Sequence, residues 1–191
     1  MFEADDTEAR QLEQLGARFL AALASRERGA LDEAEDELRA IVRVEPRLAE
    51  PRLELARILL DTDRLDDAED QAREALDALV AGGQWIDDLP EATVLAIAHA
   101  TLAEILRRKA DEDDVIFGDP DTFHRMVREA KEHFARAAEL DPSEEYASYY
   151  AFFLGQPTGR EAAAHTPILP GPDDGPTDGS IEGATEPEPV D

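Results

Sequence analysis

The chain has 191 residues, of which 46 are acidic and 19 basic, giving a formal net charge of −27, and it has no cysteine. Such a balance repels nucleic acid and anionic headgroups, because duplex binding rests on Lys and Arg neutralising phosphates. Neither a disulfide framework nor a thiolate site can form, and the length leaves room for one domain of ordinary size.

No apolar run approaches about 18 residues, so no segment is expected to span a membrane. The acidic start MFEADDTEAR lacks the basic and apolar stretches of a signal peptide, and a cytoplasmic location is expected. The acid excess fits either adaptation to high salt, where self-repulsion is screened, or drift in an alanine- and arginine-rich composition.

Sliding the chain along itself by 34 residues lays LDEAEDELR (Leu31–Arg39) on LDDAEDQAR (Leu65–Arg73). Leu31/Leu65, Asp32/Asp66, Ala34/Ala68, Glu35/Glu69, Asp36/Asp70 and Arg39/Arg73 are identical pairs. Arg18/Arg52 and Ala22/Ala56 match at the same offset. A fixed period in this range is the mark of a repeat architecture.

In chain order, a first helix is predicted after Asp5-Asp6-Thr7, which suit a helix start, with Leu12, Leu15, Phe19 and Leu23 at helical spacing. Gly29 ends it. Further helices are predicted near 31–44, 48–61, 65–81, 90–110 and 121–140. Pro51 fits a first turn, where its missing N–H costs nothing. The run Asp119-Pro120-Asp121-Thr122 is a start signal, and Leu140-Asp141-Pro142 a stop. A seventh helix is predicted over SEEYASYYAFFL (Ser143–Leu154), with Gly155 just beyond it as a cap. Residues 155–191 form a separate region; residues 156–191 hold seven of the twelve prolines and few bulky apolar groups. They are expected to be a disordered acidic tail.

The repeated segment resembles the tetratricopeptide repeat family, whose unit is two antiparallel helices in about 34 residues. That family has small residues where its helices cross and a proline closing each unit. Here Ala22, Ala34, Leu38, Ile41 and Pro46 fit the first unit. Ala56, Ala68, Ala72 and Ala75 fit the second, with Val80 in place of the proline. Ala130, Phe134, Ala137 and Pro142 fit a third, whose first helix carries Leu102, Ala103 and Leu106. Small residues let helices approach to about 8–10 Å. A single pair cannot hide its apolar face, so neighbours stack.

The resemblance implies an all-α fold over residues 8–154. It would be a right-handed α-solenoid of about three helix-turn-helix repeats with a C-terminal capping helix. Two insertions depart from the family length: the second unit runs on to Ala81, Gly82-Gly83 and Trp85, and ADEDDVIFGDPDT lengthens the third. Both are expected in loops at the repeat edges.

The resemblance also implies a concave groove, lined by the inner faces of the first helices, for a peptide or partner helix. The residues assigned to it are Phe19, Leu23 and Arg26, then Leu53, Arg57 and Leu60, then Ala100, Glu104, Arg107 and Arg108. Arginine suits bidentate carboxylate pairing, so Arg57, Arg107 and Arg108 either meet acids of a partner or form solvated pairs with Glu54 and Glu104. Some family members clamp a terminal carboxylate with lysines and asparagines. This chain has no asparagine, and Phe19 and Leu23 stand where that clamp is built.

All three tyrosines lie in the predicted closing helix. Tyr146, Tyr150, Phe153 and Leu154 share one face, whereas Tyr149 and Phe152 point elsewhere. Covering the core explains one face. The second face points to contact with a partner or with another copy of the chain, a homodimer.

Catalysis finds little support. His99, His124, His133 and His165 lack the i, i+4 metal spacing, and the acids of 111–121 lack the order of a calcium loop. No phosphate loop, nucleophile elbow or dinucleotide fingerprint is present. The reading is therefore a protein–protein scaffold or adaptor without cofactor, metal or catalytic residues, the alternative being a self-assembling structural subunit joined through the aromatic helix.

Overall fold

The computed structural model describes residues 2–83, 85, 89–142 and 151, with residues 2–9 by their backbone. Among these the chain forms seven helices and no strand. They are α1 (Phe2–Glu27), α2 (Leu31–Val44), α3 (Glu50–Asp61), α4 (Leu65–Val80), α5 (Glu91–Ala110), α6 (Asp113–Ile116) and α7 (Pro120–Leu140). The boundaries of α2 to α5 and α7 fall within about two residues of those read from the sequence.

Two elements differ from expectation. The first helix begins at Phe2, so Asp5, Asp6 and Thr7 lie within it and not ahead of it. The acidic insertion, expected as a loop, contains the single-turn helix α6. The closing helix and the tail lie outside the described residues apart from Ala151, which is helical and packs against the α5/α7 core.

The period of 34 survives down to individual bonds. In the turn after α1, Gly29 N–H donates to the Arg26 carbonyl and Ala30 N–H to the Ser25 carbonyl. After α3, Asp63 N–H donates to Leu60 and Arg64 N–H to Leu59, each displaced by one repeat. These paired bonds satisfy helix-end carbonyls and require a left-handed residue at the turn. Gly29 has φ +78° and Asp63 φ +60°.

Side chains repeat as well. Arg39 donates to Glu35 on α2 and Arg73 to Glu69 on α4. Arg18 pairs with Glu37 between α1 and α2, and Arg52 reaches Gln71 and Glu74 between α3 and α4.

Small residues set the helix spacing. Ala22, Ala34, Ala56, Ala68 and Ala72 are all buried, beside Leu38, Ile41, Leu55, Ile58 and Leu59 in one cluster. That cluster also takes in Leu102, Ile105 and Leu106 of α5 and Ala130 of α7, so one core runs through the successive pairs. Phe134, with no exposed surface, fills the α5/α7 crossing among Ala96, Ala103 and Ala137. At the start of α7 the Asp119 carboxylate caps the helix, accepting from the Asp121 and Thr122 N–H groups. The Thr122 hydroxyl also donates to it, and this bond first, with the backbone bonds after it, holds its pKa below the usual aspartate value.

The scarce cations are placed at the seams between units. Arg26 of α1 pairs with Glu54 of α3, and Arg64 reaches back to Glu35. Lys109 of α5 joins Asp66 and Glu69 of α4, Arg108 joins Asp63, and Arg73 of α4 joins Glu129 of α7. Burial pushes the Glu69 carboxyl up, but its bonds from Lys109 and Arg73 outweigh this and hold it below the normal glutamate range. Glu35 is lowered in the same way, burial opposing and Arg39 and Arg64 prevailing.

His99 of α5 and His133 of α7 meet Nδ1 to Nδ1 at 2.8 Å. Burial lowers both pKa values. His99 falls from 6.5 to about 4, with His133 and Arg136 adding to the effect, and His133 is lowered further by Arg73 while Glu129 and Glu132 oppose. The unfolded chain therefore binds protons that the folded chain refuses. The pair's contribution to stability is fully present above the unfolded value of 6.5 and is lost as the pH falls through about 4.

The thermal midpoint is accordingly expected to drop between about pH 7 and pH 5, and to drop less in His99→Gln. An equal drop in that variant would assign the acid sensitivity to other groups.

Candidate partner-binding groove

The first helices of the three units, α1, α3 and α5, stand side by side and enclose a cavity of about 160 Å³. Successive turns of a helix present residues three or four apart on one face, and each helix contributes such a set. Phe19 and Leu23 come from α1, Leu53, Glu54 and Arg57 from α3, and Val94 and Ile97 from α5. Leu89, in the segment leading into α5, closes one end, and the Glu50 side chain borders the cavity from the first turn of α3. Glu50 is 92 % removed from solvent, at 8 % exposure, and its place at a helix N-terminus favours a negative charge.

The walls are apolar and the polar groups gather on α3. Arg57 Nη1 donates to Glu54 Oε1 at 2.6 Å, and Arg26 reaches the other oxygen of the same carboxylate. Glu54 is thus held between two guanidinium groups at the cavity edge, its side chain only 12 % exposed. Trp85 steadies the end that Leu89 closes: its indole N–H donates to the Leu89 carbonyl at 3.0 Å, and its ring packs on the cluster that holds Leu53 and Val94.

Of the residues assigned from the sequence, the fold brings Phe19, Leu23, Leu53 and Arg57 together in this cavity, with Arg26 adjoining through Glu54. Leu60 packs against the main core instead. Ala100 lies against the α5/α7 cluster beside Phe134 and Ala137. Arg107 is paired with Glu104 and Asp111, both at 2.8 Å, and Arg108 with Asp63 at 3.1 Å. These five do not line the cavity. Tyr146, Tyr149, Tyr150, Phe152 and Phe153 lie outside the described residues.

Sequence reasoning missed Glu50, Leu89, Val94 and Ile97. All four lie in the first turn of α3 or at the start of α5. The turns of α5 beside Leu53 are its first two, and not the later ones around Arg107. The one available signal was that Val94 and Ile97 share a helical face ahead of the buried Leu102.

Stacked helix pairs with a groove along their first helices define a helical-repeat fold of the tetratricopeptide kind. Among solved structures the chain is similar to "First TPR of Spaghetti (RPAP3) bound to HSP90 peptide SRMEEVD". The TM-score is 0.56 at 14 % identity, over 80 % of this chain and 94 % of that one. No family model matches the chain, and no curated protein matches it. No helix among the described residues is long and apolar enough to cross a membrane.

Proposed function

We propose that the protein is an interaction adaptor that receives a peptide or partner helix in the groove between α1, α3 and α5. The observation that carries this reading is the cavity itself, an apolar recess with charged groups confined to one wall. Binding sites of this build take an apolar anchor and orient it with a few polar contacts. The similar fold of the RPAP3 domain, bound to an HSP90 peptide, supports a peptide as the class of partner.

The anchor differs from a terminal carboxylate. Phe19 and Leu23 are apolar, the chain has no asparagine, and Arg57 and Arg26 are already engaged by Glu54. A ligand here gains most by burying one or two aliphatic or aromatic side chains against Leu23, Leu53 and Val94. Burial contributes about 25 cal/mol per Å² of apolar surface. Arg57, with its side chain 40 % exposed, can turn toward a ligand acid while Arg26 keeps Glu54 paired.

Selection from a displayed peptide library is expected to enrich sequences with apolar anchors. Leu23→Asp is expected to weaken the selected peptides at least tenfold, about 1.4 kcal/mol, while leaving the helical circular dichroism signal unchanged. Equal affinity in wild type and Leu23→Asp would move the binding surface elsewhere on the molecule.

A further inference from the structure

The side of α1 that turns away from the rest of the stack is open among the described residues. α1 packs on α2 and α3, and Leu15, Phe19 and Ala22 carry its share of the core. At about 100° per residue the opposite side of the helix presents Glu13, Ala17, Leu20, Ala21, Ala24 and Arg28. Ala24 is half-buried and the other five are exposed, Leu20 at 60 %. Stacked units normally bury such an apolar strip against a neighbour.

This side is also where the acid excess of the chain gives way. Residues 10–28 hold four arginines and two glutamates, a net charge of +2 in a chain of −27. Arg18 and Arg26 are engaged by Glu37 and Glu54, which leaves Arg10, Glu13, Glu27 and Arg28, with no net charge. Arg28 donates to the Ser25 hydroxyl at 3.1 Å, and neither it nor Glu13 enters an ion pair among the described residues. Elsewhere the excess of carboxylates holds two copies apart. Here two copies can meet without that cost.

The order of the side chains identifies what fits the strip. Glu13 and Arg28, Ala17 and Ala24, and Leu20 and Ala21 are three pairs with one common midpoint, between residues 20 and 21. Glu13 and Arg28 each lie about 11 Å along the axis from that point. Two copies of α1 laid antiparallel about a two-fold axis there set Glu13 of each copy against Arg28 of the other. Gln14 falls opposite Glu27 in the same register. The leucine of each copy meets an alanine of the other, and small residues at a crossing let helices approach to about 8–10 Å. A surface that is its own complement in reverse order is what a two-fold contact requires.

We propose that the chain self-associates through this side of α1, with a second copy as the occupant. One helix crossing falls at the small end of interfaces, below about 1,200 Å², so the dimer is reversible. The contact involves neither the groove lining nor the aromatic segment 143–154.

The test is sedimentation equilibrium of the full chain at rising concentration. The salt is held near 0.15 M, where a Debye length of about 8 Å screens the distant acids but spares groups in contact. A monomer–dimer equilibrium is expected. Leu20→Glu is expected to weaken it at least tenfold with the helical circular dichroism unchanged, because that side chain is exposed in the monomer. Glu13→Arg and Arg28→Glu are each expected to weaken it at least tenfold. Mixed in equal amounts, these two variants are expected to form a heterodimer about as tight as wild type, because each supplies the charge that the other lacks.

A monomer at every concentration would overturn the proposal, and that result needs no variant. So would a dimer that Leu20→Glu leaves intact, or a mixture of the two charge variants no tighter than either alone.

Discussion

Replacing Phe134 with alanine is expected to lower the unfolding free energy by about 3–5 kcal/mol, the usual range for a fully buried phenylalanine truncated to a methyl group. Phe134 has no exposed surface, and its neighbours at the α5/α7 crossing, Ala96, Ala103 and Ala137, are all small. None of them can grow into the space left behind, so the cavity stays open and its cost is added to the lost transfer energy.

The damage is also expected to be local. In a stack of repeats each unit leans on its immediate neighbours, and stability is approximately a sum of unit and interface terms. Hydrogen exchange in Phe134→Ala is therefore expected to speed up in α5 and α7 while α1 to α3 keep their protection. Uniform acceleration from α1 to α7 would show that the described helices open as a single cooperative unit.

The second large effect comes from filling space. Ala68 opens α4 with no exposed surface, and Ala34 opens α2 in the same way one repeat earlier. Ala68→Leu is expected to cost about 1–3 kcal/mol, since added methylenes in a packed core force side chains off their rotamers or helices apart. Ala34→Leu is expected to cost a similar amount, because the two residues occupy equivalent places in their units.

The control is Val80→Ser, at a side chain 77 % exposed, expected to stay within about 0.5 kcal/mol of wild type. Denaturant midpoints of the three variants decide the matter. A neutral Ala68→Leu would mean that helix spacing at this crossing is set by something other than the alanine.

Both effects are legible in the sequence because apolar spacing and the step of 34 residues name the same positions. Gly29, Pro51 and Asp119 marked helix ends for specific backbone reasons, and the helices end where they said. The start of α1 was hidden because Asp5, Asp6 and Thr7 suit a cap and are also tolerated within a helix. The α6 turn was hidden because four residues are too few to show a period.

The lining of the cavity was half legible. Of the residues assigned by repetition, Phe19, Leu23, Leu53 and Arg57 share one cavity, since the first two units share one register. On α5 the cavity is bordered by Val94 and Ile97, in its first two turns, and not by Ala100 and Glu104. The meeting of His99 and His133 could not be read at all. Helical periodicity shows which residues share a face, but not which face of α5 turns toward α7.

The turn at Asp63 carries a further consequence. An L-residue in the left-handed region costs roughly 1–2 kcal/mol, less for aspartate than for most, and Gly29 avoids this cost one repeat earlier. In exchange, Asp63 extends a carboxylate to Arg108 on the next helix pair, an exposed contact contributing about 0–1 kcal/mol. The two amounts nearly cancel. The difference between the turns thus leaves the total almost untouched and relocates it, trading local relaxation for mechanical coupling across a joint. A glycine at 63 would make the hairpin more comfortable and the array more pliable at that joint.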